Sequence, residues 1–167
     1  MKTLLVLDSE NYTDEMTVEE RFCVRAIIFR DGRLAAQQSA RGDYKLIGGG
    51  MEPGEDYRDA LDREVREEAG LVIDRDDIHP YGEILEMRRD LFDQTCKYVC
   101  HTRFYKCEVG GEKLPLHMTA SELAKGFHLV WVTPEDFIAG NRRFLDQPWT
   151  LRDTRFVELM CKDRIRG

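Results

Sequence analysis

The stretch GGGMEPGEDYRDALDREVREEAGL, from Gly48 to Leu71, sets three glycines ahead of a segment crowded with acids. Glu55 to Ala69 reads as a helix, with Gly70 as the residue that closes it. At about 100° per residue, Tyr57, Leu61, Val65 and Ala69 form one apolar stripe. Asp59, Asp62, Arg63 and Arg66 point mainly away from it, and the spacing allows Asp59–Arg63, Asp62–Arg66 and Arg63–Glu67 pairs. Glu68, however, falls inside the apolar arc, and Glu64 lies at its edge. Two like charges at this spacing repel by roughly 0.2–0.5 kcal/mol when exposed, and burial makes them far costlier without a counter-charge. Hard divalent cations bind carboxylate oxygens, and magnesium typically takes one or two while keeping water and phosphate oxygens. A metal site accounts for the cluster; a plain surface helix does not.

The glycines then need a role. A dinucleotide fingerprint beginning at Gly48 would put Pro53 where its last glycine belongs, and no Gly-Lys-Ser/Thr follows for a P-loop. Glycine instead lets bare backbone approach the helix and present a carbonyl to a cation.

The chain has 167 residues, 42% apolar and 34% charged, which predicts one soluble domain over residues 1–167. No apolar run reaches the roughly 20 residues needed to span a membrane. The apolar run Leu4–Leu7 is shorter than the roughly 7–15 residues of a secretory signal, so a first strand and a cytoplasmic protein are expected. A net charge of −7 argues against nucleic-acid polymers and anionic membranes as partners, while leaving room for a small phosphorylated ligand. The five cysteines are expected to be reduced. Cys96, Cys100 and His101 suggest zinc, but Lys97–Val109 reads as a strand. In a strand Cys96 and Cys100 lie about 13 Å apart, too far to share one ion, so buried structural thiols are expected.

Elsewhere, Asp8–Glu20 reads as an acidic solvated loop. Phe22–Phe29 reads as a strand that an Asp31-Gly32 hairpin returns through Leu34–Gln37. Arg25 interrupts that strand, either as a surface residue or as a cation aimed at a ligand; spacing alone favours the surface. Tyr44–Ile47 leads into the glycines. Further strands are expected near Ile78–Arg88, Lys97–Val109 and Phe127–Val132. A helix capped by Thr133 with Pro134 at its first position follows. The last helix, Leu151–Ile165, is expected to bury Phe156, Leu159 and Met160. Helices and strands mixed in this order predict an α/β domain.

The Gly48–Leu71 segment resembles the Nudix box, Gx5Ex7REUxEExGU with U a bulky aliphatic residue. Gly49, Glu55, Arg63, Glu64, Val65, Glu67, Glu68, Gly70 and Leu71 fill every specified place. Upstream, Leu46-Ile47-Gly48-Gly49 stands where the family usually has Leu-Pro-Gly-Gly, and Trp131–Glu135 resembles the segment that closes many of its domains. The resemblance implies the Nudix fold, an α/β/α sandwich around a mixed β-sheet. It also implies hydrolysis, with magnesium or manganese, of a diphosphate linking a nucleoside to another group, by water attack on phosphorus. Carried over, Glu64, Glu67, Glu68 and the Gly48 carbonyl would hold metal. Glu67 could instead be the base, and Arg63 would orient a glutamate. Gly49, Glu55 and Gly70 would be structural. In the family an extra acid often comes from the loop before the last strand. Glu122 occupies that stretch here, with a solvated loop glutamate as the plainer reading. Arg25 gains weight as a phosphate contact.

Two other functions remain open: a Nudix-like nucleotide sensor that does not turn over, disfavoured because every box glutamate is present, and a diphosphate isomerase built around Cys23. The family's subgroup marks are missing. Glu86 stands where ADP-ribose hydrolases often have proline, and Arg88 and Arg89 stand near where dinucleoside polyphosphate hydrolases have tyrosine. These absences lean towards small nucleoside triphosphates or a nucleotide outside those subgroups. Nothing in the sequence marks the oligomeric state, so a homodimer stays open.

Overall fold

In the computed structural model the backbone of residues 1–166 and the side chains of residues 1–163 are described; Gly167 lies outside them. Strands β1 (Thr3–Asp8), β2 (Thr17–Ile27), β3 (Phe29–Arg30), β4 (Arg33–Gln38) and β5 (Tyr44–Leu46) precede helix α1 (Tyr57–Ala69). Then come β6 (Leu71–Arg89), β7 (Cys96–Lys113), the short helix α2 (Ala120–Ala124), β8 (His128–Val132), α3 (Pro134–Asn141) and α4 (Pro148–Arg166).

One sheet runs in the order β1-β6-β7-β2. β6 and β7 are antiparallel, while β1 on β6 and β2 on β7 are parallel, so the sheet is mixed. The second sheet pairs β4 with β3, β5 and β8, all antiparallel. Bridges Cys23–Gly50 and Ala26–Ile47 join β2 to the glycine loop.

The two-residue period of the strands sorts side chains into two cores. Val24 and Ala26 of β2 and Ala35 of β4 pack with Ala60, Leu61 and Val65 of α1. Ile27 of β2, with Leu34 and Ala36 of β4, packs instead with Phe137 of α3 and Phe156, Val157 and Met160 of α4. Helices thus cover both faces of the strands, giving the expected layered α/β architecture. Among the described residues no helix is long and apolar enough to cross a membrane.

Local readings held where the signal was local. Asp31 and Gly32 form the hairpin turn, both at positive φ. Thr133 caps α3 through the Asp136 amide with Pro134 in its first turn, and Gly70 closes α1 at φ 63°. Other readings are corrected. The acidic loop ends earlier than Glu20, because Thr17–Glu20 pair with β7 as the exposed start of β2. Leu159 is only half-buried and Val157 takes the core position. Cys23, Cys100 and Cys107 are buried, but Cys96 and Cys161 are not fully so. Cys96 and Cys100 do lie on one strand, with Cys100 Sγ 3.6 Å from Cys23 Sγ. Asp59 pairs with Arg75, and Arg63 turns elsewhere.

Candidate active site

α1 begins at Asp56, whose carboxylate caps the Arg58 and Asp59 amides, and it presents Leu61, Val65 and Ala69 to the core. Glu68 lies among these apolar neighbours, 2% exposed, as its place on the helical arc predicted. Two partners reach it from the strand side. The Gly48 amide donates to Glu68 Oε2 (2.9 Å), and Lys45 Nζ of β5 donates to Glu68 Oε1 (2.6 Å). Lys45 also binds Glu122 Oε1 at 3.0 Å, so one ammonium bridges two carboxylates. Glu122 is not a loop residue. It sits on α2 in a capping box, accepting the Thr119 amide while Thr119 accepts the Glu122 amide.

The pair is polarised. Burial pushes the Glu68 carboxyl up to about 7 against the pull of Lys45. Burial also acts to raise Glu122, but hydrogen bonds with Glu68, the Thr119 amide and Lys45 outweigh it and hold it at about 2. Glu64 is raised by burial, with Arg63 opposing.

Arg63 organises the glycine loop. Its guanidinium donates from Nε to Glu55 Oε1 (2.8 Å), from Nη2 to Glu55 Oε2 (2.9 Å) and from Nη1 to Glu64 Oε1 (2.7 Å). Nη2 also donates to the Gly50 carbonyl (3.1 Å), and Glu67 stands 3.6 Å away. Glu55 in turn accepts the Glu52 amide (2.9 Å), tying the loop ahead of the helix. The glycines are required by contact. Gly48 has φ 133° and a Cβ there would meet the Val24 carbonyl oxygen at 2.2 Å; one at Gly49 would meet Glu64 Oε1 at 2.5 Å.

Arg25 corrects the surface reading. It is 7% exposed, with Nε 3.8 Å from Asp153 of α4, and among the described residues neither Nε nor Nη1 has a hydrogen-bond partner. It lines a cleft of about 570 Å³ that Lys45 and Glu122 also line, with Phe127, Gln147 and Trp149 around it. The edge-facing reading is therefore wrong, and Arg25 is part of the cleft wall. Sequence reasoning missed Lys45, Asp153 and the cleft's aromatic residues. Lys45 carried one usable signal: it lies two before buried Ile47 and so shares its face.

Among the described residues no three His, Cys, Asp or Glu side chains form a ready metal cage. Glu68 is held by Lys45, and Glu64 by Arg63. The donor set nonetheless suits a hard divalent cation, since Glu68 is buried, Glu64 is largely so, and Glu67 is half-exposed beside them.

The NUDIX domain profile matches residues 20–157. The chain belongs to the Nudix family. It is 30% identical over 100 residues to the nucleoside triphosphatase NudI of Escherichia coli (strain UMN026), a match covering 58% of this chain and 66% of that protein. The chain thus spans just under two thirds of that relative. It is 49% identical over 53 residues to the CTP pyrophosphohydrolase of E. coli K12, covering 29% of this chain and 39% of that protein. The Nudix fold is shared with the solution structure of the E. coli ORF135 protein (TM-score 0.59, 24% identity, 92% of this chain and 96% of that one). It is shared too with a Nudix hydrolase from Nitrosomonas europaea (TM-score 0.53, 20% identity, 73% and 78%).

Proposed function

We propose that this Nudix chain is a nucleotide pyrophosphohydrolase that cleaves a diphosphate bond of a small nucleoside triphosphate with magnesium or manganese. The observation that carries the reading is the buried Glu68 of α1, held by Lys45 beside a cleft that Arg25, ion-paired to Asp153, also lines. The names of the NudI and CTP pyrophosphohydrolase relatives support a triphosphate substrate.

Nudix hydrolases generally use divalent metals. When bound, such an ion supplies Lewis acidity towards phosphoryl oxygens and lowers the pKa of bound water. Glu64, Glu68 and the Gly48 carbonyl would hold it. Glu67, the most exposed of the box acids, would hold it as well or accept the proton of the attacking water. Arg63 fixes Glu64. Arg25 and Lys45 supply the positive charge that an acidic protein needs to draw a polyphosphate into the cleft. Glu122 tethers Lys45, so its role is to position that cation. We place the protein in the cytoplasm, acting as one domain on free nucleotides.

A hydrolysis screen over nucleoside triphosphates with magnesium and with manganese tests the reading, run in oxygen-18 water. Label on a phosphate-containing product is expected, since attack falls on phosphorus. Label in a carbon-bound hydroxyl would overturn it. One observation favours a binding-only domain, namely that Lys45 already neutralises Glu68; nucleotide binding without product would establish it. The isomerase reading gains nothing, because Cys23 is buried against Cys100 and does not line the cleft.

A further inference from the structure

Asp43 lines the same cleft, and neither the carboxylate cluster nor the phosphate-facing cations use it. It stands at the end of the turn between β4 and β5, 7% exposed, two residues before Lys45, which lines the same cleft. The turn locks it in place. The Ser39 amide donates to the Asp43 carbonyl (2.9 Å), and the Gly42 amide to the Ser39 carbonyl (3.0 Å). The Arg41 amide donates to Ser39 Oγ (3.1 Å), and the Ser39 hydroxyl donates to Asp43 Oδ1. Oδ1 is thereby occupied. Among the described residues Oδ2 accepts no hydrogen bond and forms no ion pair, and it is not among the polar atoms sealed from solvent. A nearly buried acceptor is thus fixed at the cleft wall with one lone oxygen open.

Two aromatic side chains share that cleft. Phe127 is buried beneath Lys45, whose Nζ lies 4.7 Å from its ring centroid. Trp149 is 37% exposed and leaves part of a large apolar surface bare. A nucleobase has flat apolar faces and a polar edge, so an exposed indole and a fixed carboxylate oxygen suit its two aspects. An ionised carboxylate is acceptor-only. It bonds the exocyclic amino group of cytosine or adenine and repels the carbonyl oxygen that uracil or hypoxanthine places there.

We infer that Asp43 reads the exocyclic amino group of the substrate's nucleobase, so that the cleft selects amino-bearing bases over their oxo counterparts. The inference rests on the reading of the cleft as the nucleotide site. Rejection comes from the bare acceptor. An oxo base leaves Oδ2 without a donor in a largely desolvated place and faces it with a second acceptor, which is how built sites discriminate strongly.

Asp43→Asn tests this directly. The amide Oδ1 still accepts from Ser39, so the free position becomes a donor and the preference should invert. Dissociation constants for CTP, UTP, ATP and ITP are measured by calorimetry in chelator-containing buffer, where binding is read without turnover, and hydrolysis is assayed separately with magnesium. The parent should bind CTP over UTP and ATP over ITP by about tenfold or more, and Asp43→Asn should lower both ratios by at least about tenfold. Equal affinity within either pair, binding of none of the four, or unchanged ratios in a folded Asp43→Asn would overturn the inference. If the variant fails to fold, the two parental ratios decide alone. Preference without turnover would sink the hydrolase reading and leave this one standing; turnover without preference would do the reverse.

Discussion

Lys45 Nζ lies 2.6 Å from Glu68 and 3.0 Å from Glu122, within a site where both carboxylates are largely withdrawn from water. Removing one partner of a buried ion pair strands the other and costs about 3–5 kcal/mol. Because Lys45 and Glu122 keep some solvent contact, Lys45→Met is expected near the lower end, about 3 kcal/mol, read by urea denaturation. A loss under about 1 kcal/mol would assign the bridge to the weak class of surface pairs. Glu68→Gln behaves differently: its single amide oxygen can accept from Gly48 or from Lys45 but not both, while Lys45 keeps Glu122. It should lose less stability than Lys45→Met while metal-dependent turnover is lost. Glu67→Gln should lower kcat by about 10²-fold or more if Glu67 is the base. Full turnover by either variant in chelator-treated buffer would refute the mechanism. Glu68 itself was legible from its helical direction. Its partner was not, because no spacing rule links Lys45 to a helix 23 residues on.

At the scale of elements, the glycine loop and α1 fit by contact of backbone against carboxylate. Gly49→Ala puts a methyl 2.5 Å from Glu64 Oε1, the end of a side chain that can turn away, so kcat should suffer more than stability. Gly48→Ala meets the Val24 carbonyl at 2.2 Å, where φ is also 133°, and backbone cannot yield cheaply. It should cost about 3 kcal/mol in chemical denaturation. Equal stability of the two variants would contradict this division. Across β6, β7 and β2, Glu83 accepts from Arg103 (3.2 Å) and His101 (3.3 Å), and His101 also meets Glu20 (3.0 Å). Burial acts to raise the Glu83 carboxyl, yet these partners outweigh it and hold it below the usual range. A carboxyl depressed by folding contributes stability that is present above its unfolded pKa of about 4.3 and is lost as pH falls through the lower folded value. Melting curves from pH 7 to 3 should therefore show a smaller acid-side loss in Glu83→Gln than in the parent. Parallel curves would remove Glu83 from the account.

For the whole molecule, the two cores answer to different strand faces, and the α4 side can be tested alone. Phe156 is fully buried and stacks on Phe104 at 3.7 Å between centroids, with Tyr81 edge-on at 5.4 Å. Phe156→Ala should cost about 3–5 kcal/mol, read as a fall in the denaturation midpoint, and a cost below about 1 kcal/mol would mean that α4 collapses to fill the space. The sequence by itself determined the order of the main strands and helices, though not the short α2, together with the capped helix α1 and the inward direction of Glu68. Each depends on a period or cap set within a few residues, whereas the contacts of Arg63 with Glu55 and Glu64 came from the structure. Only the tertiary structure decided which charges meet. Arg25 is buried because α4 brings Asp153 to it, and Glu122 joins the site because α2 delivers it to a lysine 77 positions earlier. Asp43 belongs to the cleft because the β4–β5 turn lines it together with residues from α2 and the start of α4. Burial and pairing are properties of surfaces brought together by chain reversals, and local periodicity carries no record of what lies across the gap.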